Sequence, residues 1–350
     1  MVKIAIVGLG LIGGSIGLGL KQSRTPGLEV VGHDSEMEAG RKAVKRGAVD
    51  KAPWRLYEAV EGAQVVFIAT PVLAIRDVME NIAGMVAPGC VVTDTGSTKE
   101  AVMGWAEEYL PEGVSFVGGH PMAGKETSGI DNAEANLFRG ARYVIIPGRG
   151  AREEAAKTVI DLAEILGARP FFLNAQEHDS FVASVSHLPI LLSAALVSAA
   201  SKSPSWREIS RLAATGFRDV SRLASGDPVM SLDICVTNRE SIVYWVDQAI
   251  KELEEYRGLV NASADQVGAE RLAQAFTKAW EAREKWLARY QSGRDRDDDD
   301  SAPKAAIPTM GEQMMDLMVG TRIRERYQQF FAAQERRLRE PRPRQPRDNK

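Results

Sequence analysis

Two of the four histidines in this 350-residue chain stand in settings that favour proton-transfer chemistry. His120 lies in the segment GGHPMAG after an apolar run, and His187 lies in SHLP at the start of an apolar segment. His33 sits within an apolar run and His178 within the polar segment QEHD, so we interpret both as structural or solvated. Imidazole titrates near neutral pH, so a histidine beyond the end of a buried strand can take a proton from a hydroxyl group. We therefore predict that His120 is a general base.

Two polar loops supply further candidates. The loop TDTGSTK contains Ser97, which could orient His120 or a substrate hydroxyl group, and which could also cap a helix beginning at Thr98. The segment GFRDVSR places Arg218 and Arg222 in a predicted turn between helices. Guanidinium groups bind carboxylates through paired hydrogen bonds, so this turn favours an acidic substrate. Both arginines could instead pair with acids across a subunit contact.

A glycine-rich turn, GLGLIG, directly follows the first apolar run and begins a helical pattern. Gly8 permits the tight turn, Gly10 lets the backbone approach a pyrophosphate, and Gly13 lets the helix pack closely on the strand. Asp34, at the end of the second predicted strand, can accept hydrogen bonds from a ribose and would repel a 2′-phosphate. The pattern therefore predicts a dinucleotide site that prefers NAD over NADP. A glycine turn without a ligand is the alternative.

A later strand ends in IATP, where Thr70 and Pro71 suit a loop beside the nicotinamide half of the cofactor. A simple helix start at Pro71 explains the same residues nearly as well. The N–H groups at the start of the helix after the glycine turn are further candidates for phosphate binding. The predicted cofactor-binding residues are Gly8, Gly10, Leu11, Ile12, Gly13, Asp34, Thr70 and Pro71.

The order of the elements predicts an α/β fold, with an N-terminal doubly wound Rossmann domain followed by an all-helical dimerisation domain. Up to about Pro147, short β-branched runs alternate with amphipathic segments of helical length, which is typical of a mostly parallel sheet. One more helix and strand follow, and the sequence is then helical in pattern from Asn174 to about Tyr290. The predicted parts are an NAD-binding domain at 1–173, a helical substrate and dimerisation domain at 174–290, an acidic linker at 291–308, and a C-terminal helix with a disordered basic tail at 309–350.

One segment of the helical part, Phe181–Ala200, is apolar on nearly all sides. This pattern predicts a helix that is buried from every side. Such a helix in a small helical domain favours a subunit contact, so we expect a homodimer. The central helix of a monomeric bundle is the alternative.

Composition argues against several other classes of protein. A net charge of -3 favours neither nucleic acid nor an anionic membrane surface as a partner. Cys90 and Cys235 lie far apart, which indicates neither a disulfide framework nor a metal site and fits a reducing compartment. We identify no signal peptide and no stretch that approaches about eighteen continuous apolar residues, so we expect a cytoplasmic protein without a membrane span.

Five segments occur in the order and spacing seen in prephenate and arogenate dehydrogenases, and the chain resembles this family from Met1 to about Tyr290. The segments are GLGLIGGS, DTGSTK, GGHPMAGKETSG, SVSHLP and GFRDVSRLASGDP. The resemblance implies a Rossmann domain, a helical dimerisation domain and an active site in the cleft between them. It also implies NAD-dependent oxidation of the ring hydroxyl of prephenate or arogenate, with loss of the ring carboxylate as CO₂, on the route to tyrosine.

The resemblance further implies roles for single residues. His120 would accept the proton of the substrate hydroxyl group, and Ser97 would orient both that hydroxyl group and His120. Arg222 would bind the ring carboxylate, and His187 would contact the substrate further along.

Other positions bear on which substrate is used. Glu126 and Asp219 match charged positions near the family's site and are further candidates for substrate binding. Ile190 stands where many relatives carry a polar residue, so the contacts to the side-chain end of the substrate stay open. We expect conversion of prephenate to 4-hydroxyphenylpyruvate, with arogenate as the alternative substrate.

Two other functional classes share some of these features. β-Hydroxyacid dehydrogenases also join a Rossmann domain to helices, but they rely on a catalytic lysine in the helical region, and we find no such motif. A non-catalytic NAD sensor would be expected to lose His120 or Arg222, and both are present. The family often carries a C-terminal regulatory domain that binds small molecules. The residues after Tyr290 look too few and too irregular for such a domain, so we expect no direct feedback by tyrosine through it.

Overall fold

The computed structural model describes residues 2–292. The described residues divide into two units, of which the first ends at Ala262 and the second contains one long helix. Residues 291 and 292 belong to that helix. The rest of the predicted linker (291–308) and the predicted C-terminal helix and tail (309–350) lie outside the described residues.

A seven-stranded sheet forms the centre of the first unit, in the order β2-β1-β3-β4-β5-β6-β7. The strands are β1 (Val2–Val7), β2 (Leu28–His33), β3 (Val65–Ile68), β4 (Val91–Asp94), β5 (Ser115–Pro121), β6 (Arg142–Pro147) and β7 (Arg169–Phe172). Strands β1 to β5 pair in parallel, β6 runs antiparallel to β5, and β7 runs parallel to β6. The predicted doubly wound sheet is confirmed. The winding reverses between β1 and β3, and sheets of this kind bind ligands beyond the carboxyl ends of the strands near such a reversal.

The strands are apolar on both sides because the sheet is covered on both faces. Successive side chains of a strand point to opposite faces. Ile6 of β1 and Phe67 of β3 pack in one buried cluster, whereas Val7 and Val66, their neighbours along the chain, pack in the other. This arrangement explains why the predicted strands lack an alternation of apolar and polar residues.

Strand β5 extends to Pro121, past the apolar run after which the sequence analysis placed His120, and this extension changes the setting of His120. The parallel pairing with β4 ends at Val117, but the antiparallel pairing with β6 continues, with His120 opposite Val144. The antiparallel partner therefore carries the strand past the sheet's parallel edge. His120 lies inside β5, not after it, and its side chain is buried.

Helices connect and follow the strands. Those between the strands are α1 (Leu11–Gln22), α2 (Met37–Lys45), α3 (Leu56–Val60), α4 (Val72–Ile82), α5 (Glu100–Tyr109) and α6 (Glu153–Ile165). The helical part of the first unit contains α7 (Ala175–Val182), α8 (Leu188–Ser201), α9 (Trp206–Ile209), α10 (Thr215–Ser221), α11 (Pro228–Thr237) and α12 (Arg239–Ala262). The second unit contains α13 (Gln266–Ser292). The predicted order of a Rossmann domain followed by helices is confirmed.

Helices α7 and α8 are joined by a π-helical turn, Ala183–His187, so that Ala175–Ser201 is one helical run. The prediction of a helix buried from every side is wrong for the single chain, because Ser193 is the buried residue of α8 and Val185 is 72% exposed. The same run bears on the expected absence of a membrane span, although polar residues such as Ser186 and His187 interrupt its apolar sequence. This 27-residue run contains an 18-residue window with a mean hydropathy of 1.8, which is long and apolar enough to cross a membrane by length and composition alone.

Candidate active site

The glycine turn between β1 and α1 admits only glycine at two positions. Gly8 has a φ of +94°, and a Cβ atom there would lie 2.5 Å from the carbonyl oxygen of Ala69. A Cβ atom on Gly13 would lie 1.9 Å from the carbonyl oxygen of Gly8. A Cβ atom on Gly10, by contrast, would meet nothing within 4 Å. Two glycines are thus required by close packing, and the third leaves open space at the start of α1.

This open space lies at a helix end that no side chain caps. Helix α1 begins at Leu11, with Gly10 before it, so the first N–H groups of the helix, including that of Ile12, lack a side-chain acceptor. They carry the partial positive charge of the helix N-terminus, which suits the pyrophosphate of a dinucleotide. Nearby, the hydroxyl oxygen of Thr70 is buried without a hydrogen-bond partner among the described residues. Pro71 immediately precedes α4, so the helix-start interpretation of this residue also holds.

Asp34 follows β2 and is held by backbone N–H groups. Its Oδ2 atom accepts a hydrogen bond from the Leu9 N–H group at 2.7 Å, and its Oδ1 atom accepts one from Glu36 at 2.8 Å. Each carboxylate oxygen keeps a second lone pair, so the group can also accept hydrogen bonds from ribose hydroxyl groups. A cleft opens beside it, lined by Asp34, Glu36, Met37, Gly40, Arg41, Ala52, Pro53 and Trp54.

A buried ion pair joins the two loops that carry Ser97 and His120. Asp94, at the end of β4, pairs with Lys99, and both side chains are fully buried. The Asp94 carboxylate also accepts hydrogen bonds from the N–H groups of Gly96, at 2.7 Å, and Gly119, at 3.1 Å. One carboxylate therefore fixes the course of the DTGSTK loop and the strand position next to His120.

His120 hydrogen-bonds to another histidine and not to Ser97. Its Nδ1 atom lies 2.8 Å from Nε2 of His178, and Nδ1 of His178 lies 2.7 Å from an oxygen of Asp179. The interpretation of His178 as structural or solvated is therefore wrong as to solvation, because its side chain is completely buried. The segment QEHD looked exposed in the sequence because all four of its residues are polar. In the structure, α7 turns His178 and Asp179 inward, and His178 contacts His120 of β5.

Asp179 has a second task at the start of α5. Its two carboxylate oxygens accept the N–H groups of Lys99, at 2.7 Å, and Glu100, at 2.9 Å. Helix α5 begins at Glu100, and no side chain of its own N-terminal region caps it. The alternative role of Ser97 as the cap of a helix from Thr98 is therefore wrong, because an acid eighty residues away takes that place. Ser97 itself is half-buried.

A similar cross-connection occurs at the neighbouring helix. Asp233 of α11 is buried and accepts the N–H group of Leu73 in the first turn of α4, at 3.0 Å. The hydroxyl groups of Thr98 and Thr237 lie 2.8 Å apart. Acids from the helical part thus close the N-termini of both helices that follow β3 and β4, where the partial charge of the helix favours a carboxylate.

His187 ends the π-helical turn and is 1% exposed. The amide Nδ2 atom of Asn238 lies 3.2 Å from His187 Nδ1 and 2.7 Å from the backbone oxygen of Asp179. Because that amide group donates, Nδ1 of His187 accepts and the ring proton sits on Nε2. Nε2 is buried and has no hydrogen-bond partner among the described residues. Burial lowers the pKa of this ring and the nearby backbone of Ser97 opposes that effect, so the π turn, a feature often found at functional sites, holds a buried N–H group beside the DTGSTK loop.

Burial controls the charge of these histidines. It lowers the pKa of His120 well below its ordinary value of 6.5, and unfavourable electrostatic interactions of a protonated His120 with His178, Lys99 and His187 lower it further. Burial also lowers the pKa of His187 to about 4, against the opposing effect of Asp179. Both rings are therefore neutral at pH 7. A neutral imidazole with an available nitrogen is the form that can act as a base.

The predicted substrate-binding charges lie further out. Arg222 forms an ion pair with Glu126, which connects the helical part to the loop after β5, and both side chains are about half exposed. Asp219 instead pairs with Arg218 at 3.1 Å, and both are largely exposed. The ion pair with Glu126 therefore holds the guanidinium group of Arg222 where a ligand can reach it.

The sequence alone did not identify four residues that connect His120, His187 and the DTGSTK loop to one another. These are Asp94, His178, Asp179 and Asn238. The adjacent pair His178-Asp179 was a usable signal, because two side chains able to share a proton stand together just before the SHLP segment. Asn238 offered no comparable signal. It meets His187 only through the packing of α11 and α12 against the π turn.

Comparison with known proteins settles the family. The model described as "Prephenate dehydrogenase, nucleotide-binding domain" matches residues 16–171, and the model described as "Prephenate dehydrogenase, dimerization domain" matches residues 174–278. The chain belongs to the prephenate dehydrogenase family. The resemblance drawn from the five segments is confirmed.

Individual relatives agree with this assignment to the prephenate dehydrogenase family. The prephenate dehydrogenase of Bacillus subtilis is 35% identical over 283 residues, which cover 80% of this chain and 75% of that protein. The prephenate dehydrogenase of Lactococcus lactis is 36% identical over 269 residues, covering 73% and 70%. Among solved structures, prephenate dehydrogenase from A. aeolicus in complex with hydroxyphenyl propionate and NAD+ has a TM-score of 0.73 at 28% identity and covers 81% of this chain and 98% of that one. Synechocystis arogenate dehydrogenase has a TM-score of 0.68 at 30% identity, with 81% and 99% covered.

Proposed function

We propose that this protein is an NAD-dependent prephenate dehydrogenase, which oxidises and decarboxylates prephenate to 4-hydroxyphenylpyruvate. The observation that carries the proposal is the neutral, buried His120 at the carboxyl edge of the sheet, with Nδ1 engaged by His178. We assign residues 1–173 to cofactor binding and residues 174–290 to substrate binding and dimer formation. Membership of the family supports this assignment.

The chain's own residues account for the movement of the proton. NAD, when bound, supplies the hydride acceptor. As the ring C–H bond gives up its hydride, the hydroxyl O–H bond breaks and His120 accepts that proton on Nε2. The ring carboxylate then leaves as CO₂, and the electrons of the broken C–C bond complete the aromatic ring and leave the ring oxygen as a phenolate. That oxygen takes back the proton held by His120, which gives the hydroxyl group of the product and restores the base. Ser97, on the loop held by Asp94, orients the hydroxyl group in this proposal.

The cofactor occupies the glycine turn. Gly8 and Gly13 shape the turn, and Gly10 leaves room for the pyrophosphate at the uncapped start of α1. Asp34 accepts hydrogen bonds from the adenosine ribose, and Thr70 with Pro71 borders the nicotinamide half. The buried, unpartnered hydroxyl group of Thr70 supports this placement.

Replacing Asp34 with asparagine is expected to narrow the preference for NAD+ over NADP+ about tenfold or more. The carboxylate repels a 2′-phosphate, and like charges at a binding site cost several kcal/mol. Asparagine keeps one acceptor for the Leu9 N–H group, so the turn itself should persist. Kd values for both cofactors, measured by calorimetry, test the change. Glu36→Gln, in the same cleft, is the control. An equal loss of the preference for NAD+ in that variant would contradict the role assigned to Asp34.

Replacing Arg222 with alanine is expected to raise the KM for prephenate about 10- to 100-fold, because a hydrogen bond to a charged group contributes about 1.5–3 kcal/mol. The Kd for NAD+ should not change. Arg218→Ala is the matched control, since Arg218 is a neighbouring exposed arginine that pairs with Asp219. Steady-state kinetics with varied prephenate would show the effect, and equal KM values in the two variants would refute the role of Arg222.

Arogenate remains the second candidate substrate, because Synechocystis arogenate dehydrogenase is among the similar structures. Arogenate carries an amino group where prephenate carries a keto group, so an unpaired acid near that end would favour it. Glu126 is the acid in question, and it pairs with Arg222. Its charge is therefore already compensated, which favours prephenate.

NADH formation by the purified protein, with NAD+ and either prephenate or arogenate, tests the proposed function. Turnover of prephenate with little turnover of arogenate is expected. The reverse result would make the protein an arogenate dehydrogenase. Absence of turnover with both, in a protein that binds NAD+, would overturn the proposal and favour a β-hydroxyacid dehydrogenase or a non-catalytic sensor.

The protein is proposed to be a soluble, cytoplasmic homodimer. Exposed apolar side chains lie along the helical run Ala175–Ser201, and a second copy of the chain could cover them. They include Phe181, Val185 and Leu192. The same run also carries His178 and His187, whose side chains are buried and contact Asp179 and Asn238, and these polar contacts argue against a membrane span. Light scattering coupled to gel filtration would give the mass in solution.

A further inference from the structure

The hydrogen bonds around His120 determine where its proton sits. Asp179 accepts two backbone N–H groups, so its carboxylate acts purely as an acceptor. Nδ1 of His178 faces that carboxylate at 2.7 Å and must therefore carry a proton. In a neutral His178, Nε2 is then an acceptor, and the partner atom at 2.8 Å, Nδ1 of His120, must be the donor.

The opposite arrangement, with the proton of His120 on Nε2, is not compatible with this geometry as long as His178 is neutral. If His120 carried its single proton on Nε2, two unprotonated nitrogens would face each other at 2.8 Å in a site closed to water. Both rings as cations would place two N–H groups face to face. Each alternative removes the hydrogen bond and leaves a buried polar atom unsatisfied, which is costly.

We infer that His178, backed by Asp179, is a positioning residue that holds His120 in the Nδ1–H form, so that Nε2 is the basic atom offered to the substrate hydroxyl group. The inference rests on the proposed function, and it adds a residue that acts through another. His178 touches neither substrate nor cofactor in this scheme.

The same connection accommodates the charge that the reaction creates. When Nε2 of His120 takes the hydroxyl proton, His120 becomes a cation whose Nδ1–H group still donates to His178. The Nδ1 proton can shift to Nε2 of His178, which leaves His120 neutral and places the cation beside the Asp179 carboxylate. No atom or electron is gained or lost in this shift. The planes of the two rings lie at 71° to each other with centroids 5.0 Å apart, and the shift moves the proton only between the two nitrogens that already lie 2.8 Å apart.

The tautomer can be measured directly in the full-length protein. With only four histidines in the chain, selective ¹⁵N-histidine labelling gives few ring signals, and single substitutions assign them. Without any substrate, we expect the proton of His120 on Nδ1 and that of His178 on Nδ1. A His120 ring protonated on Nε2 would overturn the inference, whether or not the enzyme turns over prephenate.

Kinetics of two variants test the consequence. His178→Leu removes the acceptor and is expected to lower kcat on the order of 10²-fold, with the KM for prephenate and the Kd for NAD+ within about threefold of wild type. His178→Gln offers an amide oxygen to the Nδ1–H group of His120 and should recover about tenfold of that loss. Retention of kcat within about threefold in His178→Leu would overturn the inference.

A structural role for His178 in stabilising α7 predicts a different pattern, and a matched variant reveals it. Asn174 caps α7 in a reciprocal arrangement with Glu177, so Asn174→Ala weakens the same helix without touching His178. We expect Asn174→Ala to lower the melting temperature but to leave kcat close to wild type. An equal loss of kcat in Asn174→Ala and His178→Leu would overturn the positioning role. If the wild-type protein did not turn over prephenate at all, that result would count against the proposed function and not against the inferred tautomer of His120.

Discussion

Replacing His120 with asparagine is expected to lower kcat about 10³-fold, because a positioned general base contributes roughly 10²–10⁴-fold. The side chain is buried at the edge of the sheet and neutral at pH 7, and asparagine has no basic nitrogen. Cofactor binding depends on the glycine turn and Asp34, which this change does not touch. The Kd for NAD+ should therefore stay close to that of wild type.

The pH dependence of the wild-type enzyme gives an independent test of the same residue. Burial lowers the pKa of His120 well below 6.5, and the buried Lys99 cation nearby lowers it further, so the base stays unprotonated as the pH falls to 6.5. The value of kcat/KM should begin to fall only below pH 6.5, at the pKa of His120.

His33→Asn is the control for the His120→Asn variant, because it also replaces a histidine with asparagine, at a position where the ring lies near the backbone of Pro53. Full activity in His120→Asn would refute the assignment.

Replacing Lys99 with methionine is expected to lower the free energy of unfolding by about 3–5 kcal/mol, the usual cost of leaving one buried charge without its partner. Lys99 and Asp94 are both fully buried. Methionine fills a similar volume but leaves the Asp94 carboxylate with only the two backbone N–H groups of Gly96 and Gly119. Chemical denaturation monitored by circular dichroism measures the change.

An exposed lysine provides the comparison. Lys157 pairs with Asp161 on the surface of α6, and its side chain is 73% exposed. Lys157→Met should leave stability nearly unchanged, because such pairs contribute little. A second change, Asp94→Leu in the Lys99→Met background, should restore only part of the loss, since the two glycine N–H groups would then lack an acceptor. Similar stabilities for Lys99→Met and Lys157→Met would contradict the role of the buried pair.

Local sequence patterns predicted the nucleotide-binding fold well, since it depends on neighbours in the chain. The strand, glycine turn and helix of residues 2–22 follow from short-range sterics, and Gly8 and Gly13 meet backbone atoms that only glycine allows. The end of β5 was predicted too early because the antiparallel partner, β6, lies beyond it in the sequence.

The connections of the site could not be predicted, because they join residues far apart in the chain. His178 stands in a polar segment and is buried only once α7 packs against the sheet. Asp179 replaces a local cap for α5, so the serine of the DTGSTK loop is free for another role. The π turn before α8 shifts the helical phase at His187, and an apolar pattern alone gives no indication of such a shift.

The carboxylates of Asp179 and Asp233 have a consequence for exchanging parts between enzymes of this family. Each acid belongs to the helical half and completes a helix of the nucleotide-binding half, α5 or α4. A fragment that ends at residue 173 would leave both helix starts without their acceptors. A chimera that joins this nucleotide-binding half to foreign helices would need an acid at each of the two places. The two halves are thus separate in sequence but not interchangeable as modules.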